Sequence, residues 1–135
     1  MSWYINLDDI IFTTLKIRVS NKLKSKYPNI NFTTSAMNNG NPIFPTVLFQ
    51  VLDGKELMKS LESKAVDSVI IPIQIDVYTN TSQADAKKIS WAIMEEMKKL
   101  SFFCEQIPTF KNDTGIYRQV SRYVRTFYPG DSIIL

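Results

Sequence analysis

Cys104 is the single cysteine, and the chain has no histidine. A thiolate at Cys104 would be a nucleophile if a neighbouring base or cation stabilised it. The run Phe102-Phe103-Cys104-Glu105 supplies no such group, so a small, largely apolar structural thiol is the simpler role. Without histidine the chain lacks the usual neutral-pH base of Ser-His-Asp and Cys-His arrangements and the commonest nitrogen ligand of zinc. Among the carboxylates, Glu95 and Glu96 are adjacent and point in different directions around a helix. Asp53, Asp67 and Asp76 could meet only through tertiary folding, and no calcium-loop spacing accompanies them. Gly40, Gly54, Gly115 and Gly130 stand alone, as turn residues do, and form no phosphate-binding loop. The sequence therefore nominates no catalytic, cofactor-binding or metal-ligating set, and an enzyme is not expected.

The last third of the chain has the richest chemistry. Tyr117, Gln119, Ser121, Tyr123, Arg125 and Phe127 share one parity, and Arg118, Val120, Arg122 and Val124 share the other. Arginine and tyrosine can stack on bases and bond phosphate, which gives single-stranded nucleic-acid binding a physical basis. A strand whose aromatics pack on the core while its arginines meet water or a subunit is the simpler reading, since no nucleic-acid module signature accompanies it.

The elements that would position these groups follow from periodicity. Leu7, Ile10, Ile11, Leu15, Val19 and Leu23 recur at helical spacing and predict a helix from Leu7 to about Lys26, with Asn6 as its cap and Pro28 as its stop. Asn38 to Pro42 reads as an exposed turn. Thr46 to Leu52 is β-favouring and ends at Asp53-Gly54, and a connecting loop with a short helical turn at Glu56–Leu61 is expected next. In the following strand Val69, Ile71, Ile73, Ile75 and Val77 alternate with Pro72, Gln74 and Asp76, which predicts one face on the core. Pro72 lacks an amide donor and suggests an edge position or a bulge. Thr81 or Ser82 caps a second helix to about Leu100, burying Ala86, Ile89, Ile93, Met97 and Leu100. Phe102–Phe110 and Ile116–Phe127 then form a hairpin around Lys111 to Gly115. The expected fold is α+β, ordered helix-strand-strand-helix-strand-strand, with a mainly antiparallel four-stranded sheet and both helices on one face.

A length of 135 residues with 44% hydrophobic content suits one packed domain over 1–135, with flexible N-terminal residues, a loop at 36–44 and a C-terminal tail. Sixteen bases against thirteen acids leave a net charge of only +3, which does not by itself identify a nucleic-acid partner. The opening residues Met1 to Asp9 lack the basic region and long apolar run of a secretory signal, and no run is apolar enough to span a bilayer. Cytoplasmic synthesis without membrane association is the expectation, and the three Asn-x-Thr/Ser matches are read as chance. Several features fit assembly with other subunits. They are Pro72, Trp3 and Tyr4 as amphipathic anchors, Asn39 and Pro42 in the turn, and Ile133 and Ile134 in the apolar tail.

The ordered combination of Tyr27-Pro28, Phe44-Pro45, the strand from Ile71 to Tyr78, the helix bearing Ala84, Lys88 and Ile89, and the strand from Tyr117-Arg118 to Arg122-Tyr123-Val124-Arg125 resembles the small tail-completion proteins of long-tailed bacteriophages, especially the tail terminators. That resemblance spans about Leu7 to Phe127. It implies a homo-oligomeric ring, commonly a hexamer, at the head-proximal end of a tail tube. Such a ring halts polymerisation of the tail-tube protein and presents the surface that joins the head. It would be made in host cytoplasm and end in the virion tail or neck. Its inner surface could face DNA without sequence recognition, and Arg118, Arg122 and Arg125 are loosely matched candidates for a basic or channel face. A head-completion or neck adaptor ring between portal and tail fits the same residues. A standalone nucleic-acid-binding domain is the contrasting class.

Overall fold

A computed structural model of the chain describes residues 3–34, 43–57, 68–112 and 115–133. Its elements are α1 (Leu7–Leu23), β1 (Asn31–Thr33), β2 (Thr46–Val51), β3 (Lys55–Leu57), β4 (Ser68–Thr79), α2 (Gln83–Lys99), β5 (Phe103–Phe110) and β6 (Tyr117–Phe127). The strands form one sheet in the order β1-β2-β4-β6-β5, and β3 pairs β4 off that path.

This corrects the expected four-stranded, mainly antiparallel sheet. Six strands are present and the sheet is mixed, because β1 runs parallel to β2, from Asn31 opposite Thr46 to Thr33 opposite Leu48. The two additional strands have three residues each, β1 all half-buried and β3 all exposed. Segments this short carry no readable alternation, and the neighbouring strand defines them. Lys55–Leu57, expected as loop with a helical turn at Glu56–Leu61, instead pairs antiparallel with Ser68–Ile70, and the rest of that expected turn lies outside the described residues.

Local chemistry explains most boundaries. Ser82 caps α2 by accepting the Asp85 amide at 3.1 Å, and Thr81 donates to the Asp85 carboxylate at 2.6 Å. Asn6 precedes α1 but makes no side-chain cap. Beyond α2, Ser101 N–H donates to Lys98 O at 2.9 Å and Phe102 N–H to Met97 O at 3.0 Å. This paired closure places Ser101 at φ 68°, a left-handed site normally given to glycine.

Pro72 ends a ladder without lying at an edge. β4 is interior, flanked by β6 on one side and by β2 and β3 on the other. Leu52 donates its amide to Pro72 O at 2.9 Å, but proline has no N–H to return the bond. β2 therefore stops at Val51, and the chain turns through Asp53-Gly54 into β3. A side chain at Gly54 would meet Ile70 O at 3.1 Å, so the turn passes close over β4.

The core lies between the helices and one face of the sheet. Leu7, Ile11, Leu15 and Val19 of α1 and Ile89, Ile93 and Met97 of α2 pack with Val47, Phe49, Ile73, Ile75, Val77, Tyr123 and Phe127. Each large aliphatic buried there stabilises the fold by about 1.5–3 kcal/mol. Lys22 bonds Glu95, and Tyr27 donates to Asp85 at 2.7 Å, which ties α1 antiparallel against α2. Thr81 and Tyr27, by donating to Asp85, hold its carboxyl below the ordinary range, and Lys22 does the same for Glu95. Burial and the Asp85 partner push Tyr27 up to about 12.

Candidate interaction surfaces

The face of the sheet opposite the helices is built from the other parity of β4 and β6. Thr46, Tyr78 and Arg118 form one cross-strand row, Leu48, Asp76 and Val120 the next, and Gln50, Gln74 and Arg122 a third. Asp76 is 1% exposed although α1 and α2 pack on the opposite face. Its carboxylate accepts from Arg118 Nη2 at 2.6 Å and Nε at 3.2 Å, from Gln74 at 3.0 Å and from Tyr78 at 3.1 Å. The Arg118 guanidinium also lies 5.5 Å from the Tyr78 ring centroid. Burial, with the Asp76 charge beside it, raises the Tyr78 hydroxyl above its ordinary range. Arg122, exposed, donates to Gln74 Oε1 at 3.0 Å.

The three candidate arginines do not share a face. Arg118 and Arg122 stand on this open face. Arg125 has the parity of Tyr123 and Phe127 and lies on the helix side. There its guanidinium donates to Asp131 at 2.7 Å and covers the Phe127 ring at 4.5 Å, with its side chain only 13% exposed. The alternation visible in the sequence already separates Arg125 from the other two.

Trp3 and Tyr4 are half-buried against the core and meet edge to face at 5.4 Å. Tyr4 donates to Glu56 at 2.5 Å, so it fastens β3 to the start of α1. Pro72 is interior and half-buried, and Ile133 packs partly on the core. Asn39, Pro42 and Ile134 lie outside the described residues, as does the expected loop at 36–44 apart from Ile43 and Phe44. Cys104 is half-buried and its thiol donates to Gln106 O at 3.3 Å, while burial raises its pKa. That environment favours the neutral thiol over a nucleophilic thiolate. Among the described residues no group of three or more His, Cys, Asp or Glu could hold a metal, and no helix is long and apolar enough to cross a membrane.

No protein-family model and no curated protein matches the chain.

Sequence reasoning missed the exposed apolar side chains along both sides of the sheet. Phe103 is 68% exposed and Ile107 59% exposed on β5, with Tyr128 just beyond β6. Ile5, Val51, Leu52 and Leu57 are exposed on the β2/β3 side. A partial signal was present, because Phe103, Glu105 and Ile107 share one parity and Cys104 and Gln106 the other. The Asp76–Arg118 pair was also missed, since joining residues 42 apart requires the β4–β6 register.

Proposed function

We propose that this protein is a structural assembly subunit. In this reading it forms a closed homo-oligomeric ring, commonly hexameric in the family it resembles, that ends polymerisation of a phage tail tube and presents the head-joining surface. The observation that carries the reading is the pair of exposed apolar strips on the two sides of one sheet, Phe103, Ile107 and Tyr128 on one and Val51, Leu52 and Leu57 on the other. Exposed apolar groups of this size, clustered and bordered by charge, are typical of surfaces that other subunits cover. A heterologous interface between two different flanks closes into a ring when its rotation permits. A ring seated on the last tube subunits occupies their addition site, and that is sufficient to stop growth.

The open sheet face fits this role better than it fits nucleic-acid docking. Arg118 is committed to Asp76, and Arg122 is the remaining arginine of that face. Any DNA contact is then one of proximity in a channel, without sequence readout. Assembly in host cytoplasm and a place in the virion tail or neck follow from the same reading.

Electron microscopy of the purified protein mixed with tail tubes and, separately, with portal-bearing heads tests the proposal. End-on rings capping tubes are expected. Rings that bind only heads would replace termination with a neck-adaptor role. A persistent monomer that binds single-stranded nucleic acid tightly, with steep salt dependence, would overturn assembly altogether.

A further inference from the structure

The two flanks differ in charge as well as position. On the β2/β3 side, segments 4–9 and 51–57 carry Asp8, Asp9, Asp53 and Glu56 against Lys55, four acids to one base, a net of −3. A cleft of about 420 Å³ opens there, with Ile5, Val51, Ile70 and Ile71 in its lining beside Asp8 and Glu56. On the β5 side, Arg18 with segments 96–107 and 122–131 brings Arg18, Lys98, Lys99, Arg122 and Arg125 against Glu96, Glu105 and Asp131, five bases to three acids, a net of +2. Two clefts meet at Arg125 on this side. One, of about 540 Å³, is lined by Phe103, Val124 and Tyr128, and the other, of about 320 Å³, by Arg18, Lys99 and Ser132. Asp131 is wholly buried and paired with Arg125, so the two charges cancel and the surplus lies on the exposed Arg18, Lys98 and Arg122.

Each flank thus offers exposed apolar side chains with a net charge of one sign, and the other flank of the same molecule offers its complement. A copy placed flank to like flank would set acids against acids or bases against bases, which costs association energy and selects against a two-fold dimer. The unlike flanks lie on opposite sides of the sheet. Pairing them leaves one free flank at each end of any open chain, until rotation closes the circle. Extension of the sheet itself from β5 is disfavoured. Its register shifts between Cys104 and Gln106 and again between Gln106 and Thr109, and Pro108 lacks a donor. Side chains, not a continued ladder, would carry the contact.

We infer that the acidic β2/β3 flank of one copy docks on the basic β5 flank of the next, so that the occupant of each flank is a second copy of this chain. The inference rests on the ring reading and specifies its interface. A stable contact of this kind covers about 800 Å² on each partner.

Charge reversal followed by mixing tests it. One protein carries Asp8→Lys with Asp53→Lys, the other Arg18→Glu with Lys98→Glu. All four residues are exposed, and circular dichroism with thermal unfolding establishes that each variant is folded. Alone, each should self-associate at least about tenfold more weakly than the wild type, because both of its flanks now have one sign. Mixed in equal amounts they should recover assembly, with the two variants alternating, as read by native mass spectrometry. Wild-type assembly in either variant alone, or a mixture as dispersed as its components, would overturn the inference. If wild-type rings form and these variants form them too, only this pairing falls. A wild-type protein that never assembles removes the ring reading as well.

Discussion

The two faces of the central strand β4 are held by different physics. Toward the helices, Val69, Ile71, Ile73, Ile75 and Val77 are all buried, and their contribution scales with apolar area and needs no particular partner. Toward the open side, Pro72, Gln74 and Tyr78 stay half-exposed, and the buried Asp76 carboxylate is satisfied by Arg118, Gln74 and Tyr78. One face tolerates shape-conserving change, and the other depends on specific pairs. The contrast also separates the arginines. Arg118 is structural and Arg125 is held on the covered side, which leaves Arg122 as the exposed one of the three arginines.

Cutting into the covered face should have the largest effect. Ile75→Ala is expected to cost about 3 kcal/mol, within the range of core truncations that leave a cavity, measured by chemical denaturation. A loss below about 1 kcal/mol would mean that this face is not close-packed. On the open face, Arg118→Ala should cost about 2 kcal/mol by leaving Asp76 buried without its cation. That is less than for a fully buried pair, because the Arg118 side chain is 34% exposed. Arg122→Ala, one row away, should change stability by less than about 0.5 kcal/mol. Equal losses at the two arginines would erase the distinction drawn between them.

Acid should weaken the clasp between the helices. The folded pKa values of Asp85 and Glu95 lie below their ordinary values, so the unfolded chain takes up protons first as pH falls. Their stabilisation is complete above the unfolded pKa of about 4 and is lost as pH drops through the folded values. Thermal unfolding followed across that window should show a falling Tm, and Asp85→Asn should flatten part of the slope. A small change of the opposite sign is expected at Ser101→Gly, a gain of about 0.5 kcal/mol from relieving a left-handed residue while keeping both closing hydrogen bonds. Destabilisation there would mean that the Ser101 side chain makes a contact that matters.

Strong periodicity made the helices and long strands legible. The stripe from Ala86 to Leu100 and the alternation from Val69 to Val77 are repeated many times within one segment, so single exceptions do not obscure them. β1 and β3 were illegible because three residues cannot show a period, and their pairing is set by β2 and β4. The meaning of Pro72 needed the neighbouring strand. A missing donor suggests an edge, but here it marks where β2 leaves an interior strand. At the candidate surfaces, parity alone placed Arg125 apart from Arg118. The partner of Arg118 and the two charged apolar flanks emerge only when distant segments are brought side by side.

Sedimentation equilibrium of the wild-type protein over a wide concentration range, alone and beside isolated tail tubes, asks most directly whether copies close around an axis. A single discrete oligomer with no larger species above it, formed alone or on the tubes, is expected of a closed ring. A 15.5 kDa monomer at every concentration and in both conditions would contradict it.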